Sequence, residues 1–167
     1  MRTPPGPPNA PLLSVEEAAA FATRLRSAGR RVVFTNGVFD LVHPGHVRYL
    51  RAARAEGDAL VVGLNADRSV RAIKGPGRPI VPEPERAELL AALSFVDAVV
   101  VFDEETPDAV IRAIQPDVLV KGADWAADRI VGRDTVEAGG GRVVRAPIET
   151  GYSTSVIVER VRALPRR

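Results

Sequence analysis

Both histidines of the chain lie in one short motif, His43-Pro44-Gly45-His46, which follows a predicted strand and begins a predicted helix. A helix N-terminus offers free N–H groups and the positive end of the helix dipole, and each imidazole can donate a hydrogen bond to a phosphate oxygen. Gly45 lets a ligand approach the backbone closely. The residue types and their spacing therefore predict a triphosphate-binding site.

Three other interpretations of this motif remain open. His43 and His46 could bind a metal together with Asp40, although two histidines at this spacing are a weak zinc signal without further His or Cys ligands. Both histidines could instead bond only to backbone at the start of the helix, and the glycines could be ordinary turn residues. No metal ligands are therefore assigned from the sequence.

Lysine is rare in the chain, and its two occurrences are in similar places. Lys74 and Lys121 are the only lysines among the 23 basic residues, and each is followed by glycine. Such positions favour a compact ammonium over a planar guanidinium, although a solvated loop lysine is the alternative. Lys74 falls in the Pro- and Gly-rich segment Ile73–Pro82, which we predict to be an irregular loop acting as a lid or substrate clamp.

From residue 31 onwards, short apolar runs alternate with amphipathic segments. The runs are continuous rather than alternating, which indicates strands covered on both faces and hence an α/β protein with a parallel sheet between two helical layers. Ligands of such sheets bind beyond the carboxyl ends of the strands, the edge on which the histidine motif falls. The five predicted strands are Val32–Phe34, Ala59–Leu64, Ala98–Phe102, Val118–Val120 and Arg142–Ala146.

Composition narrows the class of protein. The 167 residues carry a net charge of +2 and contain no cysteine, which excludes a disulfide scaffold, cysteine-ligated zinc and thiol catalysis. Neither a block of like charges nor a long apolar run is present, so we expect no nucleic-acid partner, no membrane partner and a cytoplasmic location. Five of the 14 prolines lie in residues 1–11, which we predict to be a disordered tail before a single domain at 12–167.

Asn36-Gly37 and Phe39-Asp40, followed by the histidine motif, resemble the HxGH signature of the nucleotidyltransferase superfamily. Further segments resemble the D-glycero-β-D-manno-heptose 1-phosphate adenylyltransferases, the transferase partners of the heptose kinase in ADP-heptose synthesis. The resemblance runs from about Ser14 to Leu164 and implies a Rossmann-like nucleotidyltransferase fold. The further segments are Gly63–Asp67, Lys74–Ile80, Val96-Asp97, Lys121–Trp125, Ile130–Gly132 and Gly151–Ser155.

The resemblance implies attack of a sugar phosphate on the α-phosphorus of ATP, with release of pyrophosphate and with Mg²⁺ as cofactor. Because the nucleophile is already an anion, catalysis can depend on positioning and charge neutralisation without a general base. The implied catalytic residues, which would contact the phosphates, are His43, His46 and Lys74. The implied nucleotide-binding residues are Asn36, Gly37, Phe39, Gly45, Lys121, Gly122, Asp124, Gly151, Ser153, Thr154 and Ser155.

Several of these candidates also have structural interpretations. Asp40 could orient the histidines, help bind magnesium or shape a turn. Ser153 could cap the last helix, and Asp67 the short helix after Asn65. Arg86 could grip phosphate or pair with Glu83 or Glu85, and Trp125 could pack beside the ribose or belong to the core. The residues taken as candidates for substrate binding are Asp40, Asn65, Asp67 and Arg78.

Two departures from related sequences bear on the substrate. Val38 stands where many members of the superfamily have a threonine that bonds substrate. Ile148 stands where the cytidylyltransferases that make CDP-glycerol have an arginine, which weakens the alternative of a cytidylyltransferase for glycerol 3-phosphate or another polyol phosphate. A non-catalytic nucleotide-binding protein is a second alternative. Because a short tail precedes the transferase segment, we expect a separate heptose kinase upstream, and the resemblance implies a homodimer.

Overall fold

The structure, a computed structural model, describes residues 9–124, 126, 129–148 and 151–165. These residues form a six-stranded sheet in the order β1-β4-β3-β2-β5-β6, and every pair of neighbouring strands is parallel. The strands are β1 (Leu12–Leu13), β2 (Val32–Gly37), β3 (Ala59–Asn65), β4 (Ala98–Phe102), β5 (Val118–Gly122) and β6 (Arg142–Ala146).

The described helices are α1 (Val15–Ser27), α2 (Pro44–Arg54), α3 (Asp67–Lys74), α4 (Glu83–Ala91), α5 (Asp108–Ile114), α6 (Arg133–Ala138) and α7 (Thr154–Arg162). Helix α1 begins at a capping box, in which the Ser14 hydroxyl accepts from the Glu17 N–H and the Glu17 carboxylate accepts from the Ser14 N–H. This reciprocal pair satisfies two N–H groups that a helix end otherwise leaves unpaired.

The core is divided by the sheet into two clusters. Successive strand residues point to opposite faces, so Phe34 packs with α1, α5 and α6, while Val33 packs with α2 and α4. All seven residues of β3 are buried, as expected for a strand covered on both sides. The predicted α/β class with a parallel sheet between helical layers is therefore confirmed.

The predicted number of strands, five, is wrong, because the sheet has six. The additional strand β1 contains two residues, Leu12 and Leu13, which pair with Val99 and Val100 at the edge of β4. Two residues are too short to produce a hydrophobic period in the sequence. The strand forms because the open edge of β4 needs a partner, and the Pro11 carbonyl accepts from the Val99 N–H at 3.0 Å.

Residues 1–8 of the predicted tail lie outside the described residues, so its disorder stays a prediction. The last part of that segment makes backbone contacts with the domain, since the Ala10 N–H donates to the Ala91 carbonyl at 2.9 Å. In the part of the chain that the structure describes, no helix is both long and apolar enough to cross a membrane.

The strand order creates a crevice between β2 and β5. After β2 the chain moves outward through β3 and β4, then returns to place β5 on the other side of β2. Backbone pairing of the two strands joins Val33 to Val118 and Phe34 to Leu119, and beyond it the Thr35 hydroxyl donates to the Val120 carbonyl at 3.0 Å. Ligands of open parallel sheets bind at such a reversal of direction.

Candidate active site

The histidine motif forms the turn between β2 and α2. His43 is the N-cap of α2, and its Nδ1 accepts from the His46 N–H at 3.3 Å. Pro44 follows at the first helical position, where its missing N–H costs nothing. Because Nδ1 of His43 accepts, the proton of the neutral ring lies on Nε2. The N–H at Nε2 is therefore the group that His43 can donate to a phosphate oxygen.

The two imidazoles are stacked on each other, with ring centroids 3.8 Å apart and an interplanar angle of 17°. Burial lowers the pKa of His43. The pKa of His46 falls to about 4, mainly through burial and then through the charge of His43, while a hydrogen bond with the Leu41 backbone opposes the change. Both rings are consequently neutral near pH 7 and act as hydrogen-bonding groups rather than as cations.

His46 also has a ring atom without a partner. Its Nδ1 is buried and makes no hydrogen bond to any described residue. A buried nitrogen in this state costs free energy, so it is typical of a site in which a ligand supplies the missing bond. Position, burial and this unpaired atom together make His46 the strongest candidate for direct ligand contact.

The side chain of Phe39 packs against the histidine turn. Its backbone is in the left-handed region with φ of +48°, an uncommon conformation for a large side chain, and its ring is buried with its edge toward His46 at 5.2 Å. A Cβ atom on Gly37 would lie 3.1 Å from the Phe39 ring, which explains the glycine. The structure thus packs the buried Phe39 ring against His46.

The opposite wall of the crevice comes from β5. Lys121 is buried at the end of this strand, and its ammonium contacts the Asn36 side-chain oxygen across the crevice. Burial lowers the pKa of Lys121 to about 8, so the ammonium is still mostly charged near pH 7. At the next position, a Cβ atom on Gly122 would overlap the Ile148 side chain and lie 2.5 Å from the Asp124 carboxylate. Gly122 therefore permits the exposed Asp124 to fold back over the strand end.

Helix α7 begins beside α2. Ser153 is its N-cap and accepts from the Val156 N–H at 3.1 Å. The preceding Tyr152 ring lies 6.4 Å from the His43 ring, with 24° between the planes, and the Arg48 guanidinium lies 5.3 Å from the centre of the same ring. Two helix N-termini thus converge on the histidines, an arrangement suited to phosphate.

Sequence reasoning did not single out Tyr152, although it named its neighbours. Gly151 has φ of +87°, and Thr154 is half-buried while Ser155 is exposed in the first turn of α7. An aromatic residue directly before a capping serine was the signal that could have found Tyr152. The neighbouring candidate Trp125 lies outside the described residues.

Lys74 is not where the sequence analysis predicted it. It is the last residue of α3, not part of an irregular loop, and the helix ends at Gly75 with φ of +88°. Its side chain is exposed, and within the described ranges it has no hydrogen bond or ion pair to either histidine. The helix continues to Lys74 because the positive φ that ends it is supplied by the following glycine. The structure does not bring Lys74 together with the histidine pair.

Asp40 and Arg78 pair with each other. The Arg78 Nε donates to the buried Asp40 carboxylate at 2.5 Å, and the remaining Asp40 oxygen accepts from the N–H groups of Ile80 and Val81. No cluster of three or more His, Cys, Asp or Glu side chains that could hold a metal occurs among the described residues. With both Asp40 oxygens engaged, the described donors do not fit a preformed Mg²⁺ site.

The remaining candidates are joined by a fully buried arginine. Arg86 donates to the Asp67 carboxylate at 2.7 Å and to the Asn65 carbonyl at 2.9 Å. Asp67 therefore pairs with Arg86 and does not cap α3, whose N-cap is Ala66. Likewise, Arg86 pairs with neither glutamate that the sequence analysis suggested. Its four-residue spacing from the buried Leu90 was the available signal that it faces inward.

Two further side chains have structural partners. The buried Asn65 side chain donates to the Ser69 hydroxyl at 3.2 Å. The Asp97 carboxylate accepts from the Arg54 Nε at 2.9 Å and from the Leu60 N–H at 2.8 Å. These contacts hold α3 and α2 against the sheet.

A family model described as cytidylyltransferase-like matches residues 34–160, which extend from β2 into α7. The chain belongs to the cytidylyltransferase-like family. The matched range contains the histidine turn, Lys121 and the start of α7.

Relatives of this family member include the bifunctional protein HldE of Gluconobacter oxydans (strain 621H), which is 51% identical over 159 residues, 95% of this chain and 33% of the relative. The bifunctional protein HldE of Azorhizobium caulinodans is 53% identical over 156 residues, 93% of this chain and 32% of the relative. The chain therefore spans about a third of the length of these curated relatives.

Solved structures give the same fold. The lipopolysaccharide core biosynthesis protein from Thermoplasma volcanium has a TM-score of 0.59 and 29% identity, covering 75% of this chain and 100% of that chain. Pantothenate synthetase from Thermus thermophilus has a TM-score of 0.55 at 19% identity, covering 83% of this chain and 61% of that chain. At that identity the second likeness concerns the fold alone.

Proposed function

We propose that this chain is an adenylyltransferase that condenses ATP with D-glycero-D-manno-heptose 1-phosphate to give ADP-heptose and pyrophosphate. The observation that carries the proposal is the neutral, stacked histidine pair between the starts of α2 and α7, at the crevice between β2 and β5. The motif resemblance and the identity of 51% to an HldE protein support the choice of substrates.

In the proposed reaction, a phosphate oxygen of the sugar 1-phosphate attacks the α-phosphorus of ATP. A new P–O bond forms while the bond from the α-phosphorus to the α,β-bridging oxygen breaks, and pyrophosphate leaves with that electron pair. His43 donates from Nε2 to a phosphate oxygen. The negative charge of the phosphates favours protonation of the unpaired Nδ1 of His46, which then donates to a neighbouring oxygen. Preorganised donors of this kind stabilise charge that develops in the transition state.

Lys121 and the two helix starts supply the positive potential. Because the Lys121 ammonium is buried, water screens its charge less than that of an exposed lysine. It therefore attracts an approaching phosphate more strongly. The free N–H groups at the starts of α2 and α7 complete the phosphate cradle. In this proposal, Lys74 reaches the phosphates only if α3 and the following loop move toward the crevice.

We propose that Mg²⁺ arrives bound to ATP and is part of the substrate. The ion ordinarily keeps several waters and binds through phosphate oxygens plus one or two carboxylates. Asp40 is already engaged by Arg78 and by two backbone N–H groups, so the phosphates and water would provide the ligands. The sugar 1-phosphate itself requires a prior kinase reaction, which we propose a heptose kinase performs, and the homodimer stays a prediction.

Pyrophosphate release by the purified protein tests the proposal. ATP, CTP, GTP and UTP would each be combined with Mg²⁺ and either heptose 1-phosphate or glycerol 3-phosphate. We expect release with ATP and the heptose phosphate alone. The His43→Ala variant, which loses the Nε2 donor, should lower turnover by about 100-fold or more, as removal of a single transition-state donor does elsewhere.

The other outcomes each identify an alternative. Release with CTP and glycerol 3-phosphate would keep the chemistry and replace the substrates. Absence of release with every pair, from protein shown by calorimetry to bind nucleotide, would instead indicate a non-catalytic nucleotide-binding protein.

A further inference from the structure

The segment 75–82 joins α3 to α4 and passes beside the histidine turn. It contains no helix or strand, and its two glycines, Gly75 and Gly77, both have positive φ. A Cβ atom on either glycine would meet nothing within 4 Å, so they serve the backbone path rather than a close approach. The segment has no helix or strand hydrogen bonds of its own, so its position depends on its contacts with other parts of the chain.

Asp40 provides most of those contacts. Its carboxylate is 1% exposed, and all three of its hydrogen bonds go to this segment. One oxygen accepts from the N–H groups of Ile80 and Val81 at 2.7 and 2.9 Å, and the other accepts from Arg78 at 2.5 Å. A buried carboxylate with three donors is a charge-assisted anchor, which is stronger than neutral hydrogen bonds.

The anchor is also part of the histidine turn. Asp40 follows Phe39, whose ring edge contacts His46. From the other side, Arg86 donates to the carbonyls of Val81 and Val38, so the same turn and the same segment are joined twice. Displacement of segment 75–82 would consequently be transmitted to the residues that support His46.

We infer that Asp40 is a positioning residue that fastens segment 75–82 to the histidine turn, and that it is neither a substrate nor a metal ligand. Its carboxylate geometry is complete without any ligand, because both oxygens have protein donors. The inference about position is independent of the proposed function, and only its effect on turnover depends on that function.

Limited proteolysis measures this fastening without any substrate. Trypsin cleaves after Lys74, next to segment 75–82, whereas Arg78 is followed by proline and is resistant. The Asp40→Asn variant keeps the side-chain shape but loses the charge that holds Arg78 and one of the two acceptor oxygens. We expect cleavage after Lys74 to become about tenfold faster, because the segment opens more often. Arg78→Gln, which spares the two backbone bonds, should give a smaller increase.

The control variant is Asp108→Asn, which breaks an exposed pair with Arg112 on α5 and should leave cleavage after Lys74 unchanged. Cleavage after Arg112, measured in the wild type, Asp40→Asn and Arg78→Gln, reports on general loosening of the fold. Equal acceleration at both sites, or no acceleration after Lys74, would overturn the inference. So would an unchanged cleavage rate combined with a raised Mg²⁺ requirement for ATP binding, because Asp40 would then be a metal ligand.

Discussion

The histidine pair is neutral because of where the chain places it. Two imidazoles whose ring centroids are 3.8 Å apart cannot both be positively charged at low cost, and burial opposes even the first positive charge. Each ring is therefore neutral near pH 7 and keeps one N–H donor. The same environment should lower the stability of the folded protein in acid.

We predict that His46 lowers the stability of the protein as the solution is acidified. The unfolded chain takes up a proton at His46 near its ordinary pKa of 6.5, whereas the folded chain resists until about pH 4. Between these values the unfolded state binds more protons than the folded state, so the free energy of unfolding decreases as the pH is lowered. Over this range the loss would be on the order of 3 kcal/mol.

Urea unfolding of the wild type and of His46→Asn, compared from about pH 7 to about pH 4.5, checks this prediction. The variant lacks the titrating ring, so its free energy of unfolding should decline less than that of the wild type. Parallel curves for the two proteins would contradict the pKa assigned to His46.

At the scale of elements, the starts of α2 and α7 are packed in direct contact. A Cβ atom on Gly45 would lie 2.9 Å from the Cβ of Tyr152 and 3.1 Å from the His43 ring. The first of these atoms is attached to the backbone and cannot swing away. Gly45 is therefore the residue that permits the two helix starts, each with a positive dipole end, to lie this close together.

We predict that Gly45→Ala weakens ATP binding by about tenfold, because a displacement of one helix start misplaces its donors. The change raises the helix propensity of α2, so the overall stability should not fall in proportion. Isothermal titration calorimetry measures the affinity. Gly139→Ala, where the new Cβ would have only ordinary contacts of 3.4 Å or more, is the matched control. Equal affinities of both variants would show that the close approach is unimportant.

At the scale of the whole molecule, Arg86 joins four separate segments. Its guanidinium donates to the carbonyls of Val81, Val38 and Asn65 and to the Asp67 carboxylate, and the side chain is fully buried. These acceptors belong to the ends of β2 and β3, to the start of α3 and to the segment before α4. One side chain thus ties together the carboxyl ends of β2 and β3.

Replacement of this arginine by methionine should lower the free energy of unfolding by about 3–5 kcal/mol, because it leaves a carboxylate and three carbonyls without their donor. Arg86→Lys keeps the charge but cannot reach all of these acceptors, so its loss should be intermediate. Arg112→Met, which removes an exposed ion pair, should cost less than about 1 kcal/mol. Urea unfolding ranks the variants by their free energy of unfolding. An equal loss of stability in Arg86→Met and Arg112→Met would contradict the proposed role of Arg86 in joining these segments.

Local signals in the sequence were sufficient for most elements and for the edge that carries the site. The Ser14 and Glu17 capping box and the apolar spacing that follows it are local signals for α1, and five apolar runs predicted β2 to β6. The histidine turn could be assigned to the carboxyl edge because all parallel strands end at the same edge. The two-residue strand β1 could not be predicted from local sequence, since it depends on the open edge of β4.

Partners of individual side chains were decided only by the tertiary structure. Asp40 bonds to residues about 40 positions away, and Tyr152 meets Gly45 across more than half of the chain. Spacing along a helix or strand predicts which face a residue occupies, but the partner on that face depends on strand order and on how helix ends converge. Helices and strands are specified by neighbouring residues, whereas the anchored segment, the Arg86 junction and the paired helix starts form only when distant segments meet.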